Sequence, residues 1–429
     1  MSARARHATA AQEKNVSAEG AELYYRWLLG CLDAIEADVP RIVESAEAAA
    51  KPYVEQEAME ICACGDRGVM GELLGRSGGM LRLQGARAAD APAPCLVLFT
   101  LADDRLDADV QKAAKLKAAG KIVIAIARSQ VLERASQRLE ADGEARFDST
   151  ADNHAAEHGG LFRPLPAQPQ SKAVAEDQWL VPTDPTANVA AAWVWVGEFV
   201  AACTRLGKMP PMYQGYAVPG AKERTVRIGR VKFHSQAPQP VPPGRVGREF
   251  LLAVRKDMAA VHAAELGNIR RAAEMVLEAR DVGKRSWVFA HNHALVRQLP
   301  CAHDPGYFPQ LNGDWFSVRE GVELAPGDFV LCVGFSSLYR GEKFGFFAER
   351  ARELGVRLAW SITDYNQEEV LAIQPGELFI NQHWGYGDAV APIPGYDVKI
   401  LPTSGVIAQA VLWMASAEVH NILSARAAR

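Results

Sequence analysis

Over residues 21–55 the apolar positions Leu23, Trp27, Leu28, Leu32, Ile35, Val39 and Ile42 recur mostly at intervals of three and four, which predicts amphipathic helices. Short apolar runs of strand length follow at 59–64, 95–101 and 121–127, with a helical pattern over 107–119 between the last two. This β-α-β-α alternation predicts a parallel sheet covered on both faces. A helix near 131–139 is the last clear signal before residues 128–180 turn polar and are broken by proline and glycine, so no firm elements are assigned there.

The same order then returns. A helical segment over 248–280 leads into strands at 285–290 and 328–335, a helix near 341–354 and a strand at 356–363. Between the two patterns, residues 208–247 hold Pro210, Pro211, Pro219, Pro238, Pro240, Pro242 and Pro243, a density that suits a linker or an extended arm. The expected organisation is a loose tail over 1–19, a domain over 20–207, a linker over 208–247 and a second domain over 248–429. A direct comparison supports duplication. Residues 181–199 (VPTDPTANVAAAWVWVGEF) align with 401–419 (LPTSGVIAQAVLWMASAEV) at a constant offset of 220, with Pro182/Pro402, Thr183/Thr403, Ala190/Ala410, Trp193/Trp413 and Glu198/Glu418 identical.

With 429 residues the chain exceeds one ordinary core, and 23% charged against 49% hydrophobic residues is the balance of a globular protein. A net charge of −4 gives no basic field, so nucleic acid and anionic membrane are poor partners and a small molecule is the expected one. The apolar stretch 189–206 contains Glu198 and Arg205 and is shorter than a bilayer span, so no membrane crossing is expected. Seven cysteines scattered mostly through apolar runs suit reduced thiols and a cytoplasmic location. Cys62 and Cys64 suit one face of a buried strand better than half a metal site.

The string GDAVAPIPGYDVKILPTSGVIAQAVLWMASAEV (387–419) resembles the closing segment of bacterial SIS (sugar isomerase) domain proteins of the phosphosugar-binding kind. FAHNHALVRQL (289–299) is similar to that family's Gly-His-Ser-His loop, and GELLGRSGGM (71–80) to its Glu-Leu-x-x-Arg-Ala-Gly-Gly segment. The resemblance implies an α/β fold of two tandem SIS-type domains, each a five-stranded parallel sheet flanked by helices. It also implies a sugar-phosphate ligand, aldose–ketose isomerisation in active relatives, and a homodimer or larger assembly. No cofactor or metal is expected. A non-catalytic SIS module that senses a sugar phosphate or acts as an assembly scaffold is the alternative.

Ligands of open parallel sheets bind beyond the carboxyl ends of the strands. In the second half those places hold His291, Asn292 and His293, then Ser336 and Ser337 with Arg340 and Lys343, then His383, then Thr403 and Ser404 at the head of the last helix. Hydroxyls, backbone N–H groups and a helix start suit a phosphate, and the resemblance places the family's serine-rich phosphate loop at Ser336-Ser337. Ser404 also reads as an ordinary helix cap. In the first half Asp103, Asp104 and Asp184 stand at the matching places and would repel a phosphate, so that copy is expected to have lost its site. An isomerase needs an acid–base group, for which Glu418, His293, Glu72 and His383 are candidates. Glu198 and Glu418 read equally as buried glutamates that anchor a helix in each copy.

Overall fold

The computed structural model describes residues 18–427 apart from 91–93, 103–104, 142–148, 153–159, 163–178, 183, 217, 237, 302–303, 314–316, 335–342, 366–369 and 371. In chain order the first half runs α1 (Glu19–Ala37), α2 (Val39–Glu55), β1 (Glu60–Gly65), α3 (Arg67–Leu73), β2 (Leu83–Gln84), β3 (Cys95–Thr100), α4 (Leu106–Ala118), β4 (Ile122–Ala127), α5 (Ser129–Ala141), β5 (Ser149–Asp152), β6 (Gly160–Phe162), β7 (Trp179–Pro182) and α6 (Asp184–Arg205). After α7 (Ala221–Ile228) come α8 (Arg245–Asp281), β8 (Ser286–His291), α9 (Leu295–Gln298), β9 (Phe329–Gly334), α10 (Lys343–Glu353), β10 (Arg357–Ile362), β11 (Leu378–Asn381), β12 (Ala389–Ala391), β13 (Ile400–Pro402) and α11 (Ser404–Ala427).

The first sheet is parallel, in the order β2-β1-β3-β4-β5. The second, also parallel, has four strands among the described residues, in the order β11-β10-β9-β8, rather than the five expected. At the place of the fifth, a single bridge joins Gln310 in parallel to Val288. The helices expected over 21–55 divide at Asp38, where Pro40 lies in the first turn of α2. Residues 208–247 contain α7, and Met209, Met212 and Val241 within that segment are fully buried.

Strand periodicity sorts the core into three parts. In the first sheet Ile61, Ala63, Leu96, Leu98, Ile124 and Ile126 face a central helical layer, while Cys62, Cys64, Cys95, Val97, Phe99 and Val123 face α4 and α5. In the second sheet Val288, Ala290, Phe329, Leu331 and Val333 face the same central layer, and Phe289, Val330, Cys332 and Trp360 face α10. The central layer holds α1, α2, α6, α8 and α11, so one core joins the two halves. Helices α6 and α11 are apolar all round and long enough to cross a membrane by composition alone, yet 100% and 89% of their apolar windows are buried inside the protein. They are core helices, and being enclosed between two sheets accounts for their lack of a polar face.

The end of each half's last helix anchors the beginning of the other half. Glu198 on α6 accepts hydrogen bonds from the N–H groups of Gly244 (2.7 Å) and Gly247 (2.8 Å) at the start of α8. Glu418 on α11 accepts from Gly20 (2.9 Å) and Ala21 (3.3 Å) at the start of α1, and from Arg270 (2.6 Å). Each carboxylate satisfies N–H groups that a helix start leaves unbonded. Gly20 is required here, since a Cβ would lie 2.3 Å from the Ala417 carbonyl oxygen.

Candidate functional site

In the first sheet the chain leaves β1 for β2 on one side and returns to β3 on the other; in the second it leaves β8 for Gln310 and returns to β9. These reversals are topological switch points, where loops diverge and open a crevice beyond the carboxyl ends of the strands. In the first half two carboxylates hold the loops at this edge. Asp66 accepts from Val69 N–H (2.9 Å) and its own N–H donates to Thr100 Oγ1 (2.8 Å), while Asp109 in the first turn of α4 accepts from Ala102 N–H (3.2 Å). Asp103 and Asp104 lie outside the described residues. Asp184, at the head of α6, pairs with Arg128 (2.8 Å).

At the second switch point, His291, Asn292 and His293 follow β8. Asn292 is fully buried and its Oδ1 accepts from Ala294 N–H (2.9 Å), which fixes the loop. The His293 imidazole hydrogen-bonds to the backbone of Gly71, and burial with the nearby Arg76 and His291 holds it well below the ordinary histidine range. It therefore stands neutral at pH 7. Ser336, Ser337 and Arg340 lie outside the described residues, and Lys343 is the first residue of α10, whose first turn carries no acid.

The first half inserts two of its residues into the second. Glu72, fully buried on α3, packs its carboxylate on Gly405 so closely that a Cβ there would lie 2.1 Å from Oε1. Arg76, 3% exposed, donates Nε to Glu72 Oε1 (2.9 Å) and pairs through Nη2 with Asp388 Oδ2 (2.6 Å); Nη2 also contacts Ser404 Oγ. Asp388 accepts from the Ser404 N–H (3.0 Å) and hydroxyl (2.9 Å). Burial pushes the Glu72 carboxyl up, against the lowering effect of Arg76, and Asp388 adds to the rise. Next to this clasp, Thr403 donates to Asp257 Oδ2 (2.8 Å), and burial raises Asp257 to about 6. Across α8, Glu265 Oε1 lies 3.4 Å from His383 Nε2. The three non-glycine residues with left-handed backbone among the described residues, His383 (φ 58°), Asp388 (φ 64°) and Leu401 (φ 64°), all lie in this region, a concentration typical of functional sites.

The expected residues thus separate into groups. His291, Asn292 and His293 line the switch point, and His383 stands at the far edge of the same sheet. Thr403 and Ser404 have their donors engaged by Asp257 and Asp388, so neither meets a phosphate unless a carboxylate is displaced. Glu72 is sealed against α11 and acts through Arg76. Glu418 lies about 20 Å along α11 from Ser404, by the helix rise over fourteen residues, and caps α1. Asp257 and Glu265 were missed in the sequence reading; the available signal was an acid at a core position of α8 among Val254, Met258 and Val261.

By sequence, the chain matches no protein-family model and no curated protein. Solved structures with a similar chain path include tagatose-6-phosphate ketose/aldose isomerase from Escherichia coli (11% identity, 96% of this chain and 96% of that one, TM-score 0.47). Another is a putative phosphosugar isomerase from Silicibacter pomeroyi (11%, 94% and 98%, 0.46). A third is the C-terminal domain of glucosamine-fructose-6-phosphate aminotransferase from Francisella tularensis (10%, 91% and 96%, 0.44).

Proposed function

We propose that the protein is a tandem SIS-type protein that binds a sugar phosphate at the switch point between β8 and β9. The observation that carries this reading is the asymmetry of the two switch points. At the first, Asp109 in the first turn of the helix entered from β3 takes the Ala102 N–H, whereas the helix entered from β9 starts on Lys343 with no acid in its first turn. The phosphate would meet the loop of Ser336 and Ser337, with Arg340 and Lys343 supplying positive charge.

For aldose–ketose isomerisation the candidate base is His293, whose neutral imidazole could accept the proton from the carbon next to the carbonyl and return it to the neighbouring carbon. Arg76, held by Glu72 and Asp388, sits near enough to His293 to disfavour its protonated form. The experiment is solvent exchange. A bound hexose phosphate should exchange its C1 or C2 proton with deuterated water in the wild type and lose that exchange in His293→Gln with affinity retained. The same exchange in His293→Gln would remove His293 from this role. The non-catalytic reading is favoured by one observation: Glu418, the helix carboxylate shared by both copies, is engaged in capping rather than in the crevice. Binding without exchange in the wild type selects it.

A further inference from the structure

Large apolar side chains exposed on this protein are few, and among the described residues only two of them are aromatic: Tyr216 and Tyr386, each 57% exposed. They come from distant parts of the chain and rise from backbone segments that touch. A Cβ on Gly215 would lie 3.4 Å from the Gly387 carbonyl oxygen, and that oxygen accepts from Ser77 Oγ (3.0 Å). Tyr386 is braced from behind, edge-on to Tyr365 (5.6 Å, 74°), which in turn lies against the buried Trp384 (5.2 Å, 59°). Trp384 is fixed by its indole N–H on Gln382 Oε1 (2.8 Å) and by its carbonyl, which accepts from Thr363 Oγ1 (2.6 Å). Lys222 Nζ stands 5.7 Å from the centre of the Tyr216 ring. Aromatic rings held half in water beside polar groups are an apt surface for the C–H face of a ring that also carries hydroxyls.

Position ties this ledge to the crevice. Tyr365 follows β10 and Trp384 and Tyr386 follow β11, at the same carboxyl edge as the switch point; β11 lies two strand spacings, about 10 Å, from β9 and three from β8. That is farther than one sugar ring reaches from its own phosphate. Beside Trp384, on the same loop after β11, stands His383, its side chain 25% exposed and its Nε2 turned to Glu265, a partner set for a sugar hydroxyl.

We infer that Tyr216 and Tyr386 form a stacking subsite for a second sugar ring, so that the ligand is a phosphorylated disaccharide or glycoside rather than a phosphorylated monosaccharide. The identity of the ligand as a sugar rests on the function proposed above, whereas the ledge is tested without phosphate. Saturation-transfer NMR would be recorded on the full chain with the unphosphorylated disaccharides maltose and cellobiose, with glucose as the one-ring control. The expected result is saturation of one ring of a disaccharide at least fivefold stronger than that of glucose. It should be lost in Tyr386→Ala and in Tyr216→Ala, retained in Tyr386→Trp, and accompanied by an unchanged melting temperature in all three variants. Equal saturation of glucose, no saturation by either disaccharide, or undiminished saturation in both alanine variants overturns the inference. So does a self-association of the wild type that Tyr386→Ala abolishes, which would assign the rings to a protein interface. Because the probes carry no phosphate, failure of hexose phosphates to bind would sink the proposed function and leave this result standing.

Discussion

Glu198 and Glu418 occupy matching positions on α6 and α11, and each caps the first helix of the opposite half: Glu198 at Gly244 and Gly247, Glu418 at Gly20 and Ala21. The two halves therefore hold each other's helix starts, and neither carboxylate is available to a ligand. Burial raises both carboxyls, and the backbone N–H groups oppose that rise.

Glu198→Ala and Glu418→Ala should each destabilise the protein by about 2–4 kcal/mol, since buried N–H groups, and for Glu418 also the Arg270 guanidinium, lose a charged acceptor. Urea unfolding checks the size. Affinity for a hexose phosphate should stay within twofold of the wild type at temperatures where the variants are folded. A selective loss of ligand affinity in Glu418→Ala would return that residue to the site.

Among the described residues Arg76 is the cation that pairs with both Glu72 and Asp388, all three being buried. Arg76→Met should cost about 3–5 kcal/mol by leaving two carboxylates facing each other without a counter-charge. Adding Glu72→Gln should recover part of that loss, which a double-mutant cycle in denaturant measures. Additive costs would mean that the clasp is not an electrostatic unit.

Asp257 sets a pH dependence of defined sign. Its carboxyl is raised from 3.8 to about 6 in the folded protein, so the folded state holds the proton more tightly than the unfolded one. This group's contribution to stability rises as pH falls from above 6 and is complete below 3.8; above 6 the buried anion carries its full penalty, about 3 kcal/mol. The stability of the wild type relative to Asp257→Asn should accordingly increase by roughly 1–1.5 kcal/mol between pH 7.5 and pH 5. A flat or inverted difference would contradict the assignment.

Much of the layer order was legible in the sequence because strands such as 60–65 and 286–291 are short apolar runs buried on both faces, and because a repeated Trp-to-Glu interval put Glu198 and Glu418 at the same distance from the starts of α6 and α11. The strand β5 was not legible, since its four residues, Ser149–Asp152, carry no apolar run and join the sheet by pairing with β4. The site was legible only in part. His291 to His293 were found from their place after a strand, but the partners of Thr403 and Ser404 were not. A serine at a helix head reads the same whether its donors await a phosphate or, as here, meet Asp388 sixteen residues earlier. Asp257 and Glu265 were hidden in a 37-residue helix whose other inward positions are apolar, and the fold alone brings Thr403 to Asp257 and His383 to Glu265.

The central claim is that the second-half switch point, and not the first, takes the phosphate of a sugar. Calorimetric titration of a panel of hexose and pentose phosphates into the wild type, Ser337→Ala, Lys343→Ala and the first-half control Arg128→Ala tests it most directly. Binding of at least one sugar phosphate, weakened roughly 10- to 100-fold by Ser337→Ala or Lys343→Ala through loss of a hydrogen bond or charge on the phosphate, and within threefold of wild type in Arg128→Ala, is the predicted result. No binding by any sugar phosphate, or binding that only Arg128→Ala weakens, would contradict it.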